Sequence, residues 1–214
     1  MGDFDLKSML KNIFSDLGQH TQTEMQDKID EKMMEKILDQ NNNIESLEKT
    51  NMLQSALISI YQLAIIRMSM EAKLQQALDV IISIPLLDLL MRGGIYVLDK
   101  NPGELILKAQ SNLPEEIKKT CPKILFGQGV CGRAAVNGKL IYATELEINQ
   151  QFQCKGKYPG MGHYSIPIAN QNRSVIGLIS LFTKQGHQST KEIQEYLTTI
   201  SAILAGIIEA RYFK

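Results

Sequence analysis

The sequence predicts an α+β domain behind a long helical region. Three observations predict it. Residues 1–84 contain no proline, and their apolar residues recur at steps of three and four. From Gly93 to Phe182, short β-branched and aromatic runs alternate with turn residues. From Ser189 onward, helical spacing returns. Strands joined by hairpins, with helices at both ends, describe an antiparallel sheet flanked by helices.

Residues 1–50 are expected to form an N-terminal helical region. Leu6, Met9, Leu10, Ile13, Phe14 and Leu17 give a short amphipathic helix that Gly18 ends. Met25, Ile29, Met33 and Ile37 put one apolar stripe on a second, polar helix, and Asn41-Asn42-Asn43 marks a break.

Residues 51–85 carry the sharpest pattern. Leu53, Ala56, Ile60, Leu63, Arg67, Met70, Leu74, Ala77, Ile81 and Ile84 alternate steps of three and four. This spacing predicts one helix with an a/d seam of about five heptads. Arg67 is its only charged member, with Glu71 one turn on. A long helix packed on its own domain fits the pattern. The length favours a signalling and dimerisation helix, and hence a homodimer through helices.

Residues 86–214 form the domain proper. Pro85 ends the helix. Ile95 to Leu98 and Leu105 to Leu107 form a hairpin around Asp99-Lys100-Asn101-Pro102-Gly103. Pro114 to Lys119 allows a short helix, and 144–162 a long loop. His163 to Ile168 is a strand whose Pro167 suggests an edge or a bulge. Val175 to Phe182 is the most apolar strand and should be central. Ser189-x-x-Glu192 is a capping box, followed by an amphipathic helix through Ile193, Leu197, Ile200, Leu204 and Ile207.

Composition narrows the function. The 214 residues carry 23 basic and 23 acidic side chains, so no basic footprint points to nucleic acid or an anionic membrane. No apolar run is long enough to span a bilayer, and the first residues show no basic stretch followed by an apolar one, so secretion is not expected. Three cysteines, an odd number, argue against a disulfide scaffold and for a reducing cytoplasm.

The chemistry concentrates in Phe126 to Tyr142, FGQGVCGRAAVNGKLIY. Gly127 and Gly129 permit a tight loop, and Gly138 can close the short helix that follows. Cys131 falls at the start of that helix, where the helix dipole and nearby Arg133 would lower its pKa. A small buried hydrophobe is the plainer reading of Cys131. Cys121 and Cys154 are candidate resolving thiols. Cys121, Cys131, Cys154 and His163 could also hold zinc or iron, although no C-x-x-C pair is present. His163 follows a glycine-rich loop, where ligand contacts or a backbone hydrogen bond are both reasonable. Met161 and Tyr164 are candidate pocket residues, and His187 reads as part of a surface turn. No P-loop, Rossmann fingerprint, HExxH or Ser-His-Asp arrangement is present.

Several of these residues carry a resemblance. Ile84-Pro85, Gly94-Ile95-Tyr96-Val97-Leu98-Asp99, Phe126-Gly127, Cys131-Gly132-Arg133-Ala134-Ala135, Gly160-Met161, Gly162-His163-Tyr164, Ile166-Pro167-Ile168 and Leu204-Ala205-Gly206-Ile207-Ile208-Glu209 are similar to the GAF input domains of bacterial sensor histidine kinases and related signalling proteins. The resemblance covers the chain from about Leu74 onward. It implies a small-molecule or redox sensor, with Cys131, Arg133, Met161, His163 and Tyr164 at the ligand. It also implies a partner such as a signalling kinase or a larger assembly. The cofactor stays open. A second cysteine expected beside Cys131 is Val130 here.

The chain also resembles free methionine-(R)-sulfoxide reductases, which share the fold. Cys121, the run Gly127-Gln128-Gly129-Val130-Cys131-Gly132, and Cys154 match their cysteine spacing. That resemblance implies Cys121, Cys131 and Cys154 as catalytic thiols. Acidic residues that would clamp the amino acid are missing where they are expected, at His163-Tyr164-Ser165 and Ser180-Leu181-Phe182. A structural subunit with a filled pocket is the third reading.

Overall fold

The computed structural model describes residues 6–99, 103–144 and 161–212. The chain divides into two compact units, Met1–Asn51 and Met52–Lys214. Helix α1 spans Leu6–Gln62. It runs on through Gly18 and Asn41-Asn42-Asn43, where the sequence suggested an end and a break. A single glycine costs a helix only about 1 kcal/mol, and asparagine less. With strong helix formers on both sides, neither stops it. In the first unit, every described side chain from Asp30 to Thr50 is exposed.

The second unit differs from the predicted stalk in one decisive place. α1 ends at Gln62, and α2 begins at Met70 and runs to Ile82. The one long helix expected over 51–85 is therefore two. Ser69 starts the second by accepting a hydrogen bond from the Ala72 amide at 3.2 Å. Lys73 Nζ donates to the Ala64 carbonyl at 3.1 Å and ties the turn closed. Neither proline nor glycine marks this break, and the three-four count passes through it unchanged. Arg67 lies exposed in the connection, not in an apolar seam.

The seam residues are satisfied within the chain. Ile60, Leu63, Met70, Leu74, Ala77, Ile81 and Ile84 are all buried in one core, with Leu53, Ala56 and Leu57 packed on it. Tyr196 Oη donates to the Leu53 carbonyl at 2.7 Å. Burying each large aliphatic side chain is worth about 1.5–3 kcal/mol, so this apolar face needs no second chain.

The sheet has six antiparallel strands in the order β3-β2-β1-β6-β5-β4. They are β1 Leu89–Leu98, β2 Glu104–Ser111, β3 Lys123–Leu125, β4 Ile141–Ala143, β5 Gly162–Ala169 and β6 Val175–Thr183. A 3-10 turn, Pro85–Leu87, leads into β1. Helices α3 Glu115–Thr120 and α4 Gly129–Asn137 lie between strands, and α5 Lys191–Tyr212 closes the fold. β6 is central, as its apolar run predicts. β5 is not an edge strand. Its outer neighbour β4 pairs only with His163, Tyr164 and Ser165, so Pro167 lies beyond β4's reach and disturbs no ladder there. A bulge follows at Ile168/Ala169.

Strand alternation sorts the side chains onto two faces. Ile95, Val97, Tyr164, Ile166, Ile168, Ile179 and Leu181 pack with α2 and α5 in the main core. Tyr96, Leu178 and Phe182 face the opposite way, towards the α3–α4 side, where Cys131, Ala134 and Ala135 pack. Among the described residues, no helix is long and apolar enough to cross a membrane.

Candidate functional site

The loop into α4 is built as its glycines demand. Gly127 has φ +85° and Gly129 φ +61°, a region open to glycine at little cost. Gly132 packs so closely that an added Cβ would collide with the Leu125 carbonyl oxygen. This close approach presses α4 against β3 and delivers Cys131, in its first turn, to the sheet. Gly138, at φ +62°, caps the helix and binds the Ala134 carbonyl through its amide.

Cys131 meets three side chains of β5 and β6. Ser165 Oγ donates to its Sγ at 3.3 Å, and His163 Nε2 lies 3.8 Å from the same sulfur. His163 Nε2 is 2.8 Å from Ser180 Oγ, and its Nδ1 is 3.3 Å from Ser165 Oγ. The Phe182 ring lies 4.9 Å from the imidazole, centroid to centroid. The register explains the cluster: Ser165 pairs with Ser180 and His163 with Phe182 across β5 and β6, so all four point to one face. His163 and Ser165 are fully buried, Ser180 nearly so.

Burial sets the protonation states. The Cys131 thiol is pushed up to about 11, with the hydroxyls of Ser165 and Ser180 pulling weakly the other way. The expected thiolate at a helix start is therefore overturned. Loss of water outweighs the helix dipole here. His163 is pushed down to about 4 by the same burial, so its imidazole is neutral. A neutral imidazole has one N–H donor and one acceptor, and the two serine hydroxyls can supply the complements. Tyr96 also belongs to this face. Its hydroxyl donates to the Cys121 carbonyl at 3.3 Å, and burial, then the nearby Cys131, hold it in the phenol form. The arrangement is a dry, neutral, hydrogen-bonding surface rather than a nucleophilic one.

The other sequence candidates are placed as follows. Met161 packs beside Phe182, with Arg92 Nη1 3.3 Å from its sulfur. Arg133 is part-buried on α4. Tyr164 points to the opposite face, away from Cys131. Its hydroxyl lies 2.8 Å from His187 Nε2, and its ring 4.6 Å from that of Tyr142. His187 is thus part of a packed aromatic group rather than a plain surface turn. Burial lowers its pKa, partly opposed by Asp88. Cys121 is disulfide-bonded, against the expectation of reduced thiols, whereas Cys131 is free. A sulfur in a disulfide cannot serve as a thiolate ligand. Among the described residues, no three His, Cys, Asp or Glu side chains are grouped to hold a metal. Cys154 lies outside the described residues.

The sequence marks His163-Tyr164-Ser165 and Ser180-Leu181-Phe182 only as the place of an absent acidic clamp, and gives Ser165, Ser180, Phe182 and Tyr96 no role beside Cys131. The signal available was alternation. Once His163 is set facing inward, Ser165 must share its face.

Comparison with known proteins agrees with this fold. The GAF domain family matches residues 68–209. A GAF domain from A. aeolicus in an inactive state shares 14% identity, with a TM-score of 0.62, covering 76% of this chain and 99% of that one. The GAF domain of a phosphoenolpyruvate-protein phosphotransferase from Coxiella burnetii shares 20%, with a TM-score of 0.61, covering 76% and 95%. The free methionine-R-sulfoxide reductase from Neisseria meningitidis, solved with its substrate, shares 19%, with a TM-score of 0.60, covering 74% and 89%. No curated protein matches the chain. At these identities the structural likeness speaks for the fold alone, while the family match extends over more than half of the chain. An antiparallel six-stranded sheet with α2 and α5 on one face and α4 closing over the other, matched from residue 68 to residue 209, makes this chain a member of the GAF domain family.

Proposed function

We propose that this chain is a cytoplasmic sensory or regulatory module that binds a small, largely uncharged molecule at the α4 face of its sheet. The observation that carries the reading is the buried neutral cluster of Cys131, His163, Ser165 and Ser180. Such a group supplies hydrogen bonds in a dry setting, and offers recognition without a nucleophile. Occupancy would alter how α4 sits on β5 and β6. The signal would leave through the helices to a protein partner such as a kinase or a larger assembly.

A second reading is a thiol-dependent reductase acting on free methionine sulfoxide. The Cys121 disulfide favours it, as does the likeness to a reductase solved with its substrate. Against it stand the high pKa of Cys131 and the absence of acidic side chains among the described contacts of Cys131 and His163. The test is turnover of free methionine-(R)-sulfoxide with dithiothreitol or thioredoxin. The sensor reading expects only the reductant background. Turnover that disappears in Cys131→Ser would establish the enzyme instead.

A further inference from the structure

The exposed face of α1 carries a pattern that the packed core does not use. Met33, Ile37, Ile44 and Leu47 are all large and apolar, and each is 49% exposed or more. Together with Gln40 and Asn51 they fall at steps of four and three: 33, 37, 40, 44, 47, 51. In a heptad count this puts Ile37, Ile44 and Asn51 at a, and Met33, Gln40 and Leu47 at d. Counting on in the sequence, Gln54, Ile58 and Tyr61 take the next three places, and Ile58 and Tyr61 are exposed as well. No charged residue occupies any of these positions. The charges fall outside the seam, and the Glu45–Lys49 ion pair, at 2.6 Å, takes the outer b and f places.

We infer that this face of α1, from Met33 to Asn51, is a parallel two-stranded coiled-coil interface with a second copy of this chain. Three observations select that occupant. First, helices without tertiary packing are marginal in water, yet every described side chain from Asp30 to Thr50 is exposed within its own unit. Second, isoleucine at a favours two parallel strands, and a lone asparagine at a fixes register by meeting its own copy. Third, the flanking charges tolerate a parallel copy. Lys36 at g would lie across from Asn41 at e, and Asn43 from Glu48, so no like charges meet. The seam differs from the one predicted over 51–85, whose residues are used inside the domain. The inference does not depend on what the α4 face binds.

The test uses the full chain. Light scattering at tens of micromolar should give twice the monomer mass. Ile37→Asp with Ile44→Asp should halve that mass and leave the thermal transition of the GAF domain in place. Asn51→Cys, mildly oxidised, should run as a covalent dimer on a non-reducing gel, whereas Ser46→Cys, on the outer face, should match the wild type. A monomeric wild type overturns the inference. So does a dimer that survives the paired aspartates. Cross-linking at residue 46 in place of residue 51 rejects the register.

Discussion

His163 Nε2 lies 2.8 Å from Ser180 Oγ, a hydrogen bond between neighbouring strands in a site with almost no access to water. Ser180→Ala would remove one of the two hydroxyls that satisfy the imidazole. A buried polar group left without its partner costs about 1–3 kcal/mol. At about 2–4 °C per kcal/mol for a chain of this size, the melting temperature should fall by several degrees. An unchanged melting temperature would mean that the ring has another partner in its place.

The same burial makes stability depend on pH. His163 titrates near 4 in the fold and near 6.5 when unfolded. Between those values the unfolded chain binds the extra proton, so stability falls as pH drops from about 6.5 towards 4. The full effect is roughly 3 kcal/mol. His163→Gln should flatten this part of the profile beyond the slope contributed by carboxylates. Equal slopes in both proteins would contradict a neutral buried His163.

Cys131 gives the opposite sign. Its folded pKa, near 11, is above the ordinary thiol value of 9. The unfolded chain therefore loses its proton first, and stability is lost as pH rises from about 9 towards 11. At pH 8, iodoacetamide should leave Cys131 unmodified in the native chain and alkylate it once urea unfolds the protein. Rapid native alkylation, located by peptide mass, would show an activated thiol.

Two glycines separate packing from propensity. In Gly132→Ala the new methyl group would collide with the Leu125 carbonyl, and the α4 loop must shift. The expected loss is about 1–3 kcal/mol or more. Gly206, exposed in α5, has nothing within 4 Å of a new Cβ. Gly206→Ala should be neutral or stabilise by up to about 1 kcal/mol. Urea midpoints of the two variants check the pair, and a reversal of their order would refute the packing assigned to Gly132.

The sheet was legible because its strands alternate or are wholly apolar between strong turn residues. That is why β6 and the hairpin of β1 and β2 could be read directly. The break before Met70 was not legible. Leu63, Arg67 and Met70 keep the helical count across a connection with no helix breaker, and only the Ser69 cap marks it. The seam was correctly recognised as apolar, but periodicity cannot say whether another chain or its own sheet covers it. At the site, Cys131 and His163 stood out by residue type and neighbouring glycines. Ser165 and Ser180 were marked only as the place of an absent acidic clamp, and their meeting with Cys131 and His163 comes from strand register. The depressed thiol pKa inferred from helix position failed because sequence does not report how dry the position is.

The central claim is that the Cys131–His163–Ser165–Ser180 face binds a small molecule without turning it over. Native mass spectrometry of the full chain, purified from its own source, tests it most directly. The account predicts a non-covalent small-molecule adduct that is lost on denaturation and strongly reduced in a folded Ser165→Ala variant. Wild-type protein with no adduct, or an adduct equally occupied in Ser165→Ala, would contradict it.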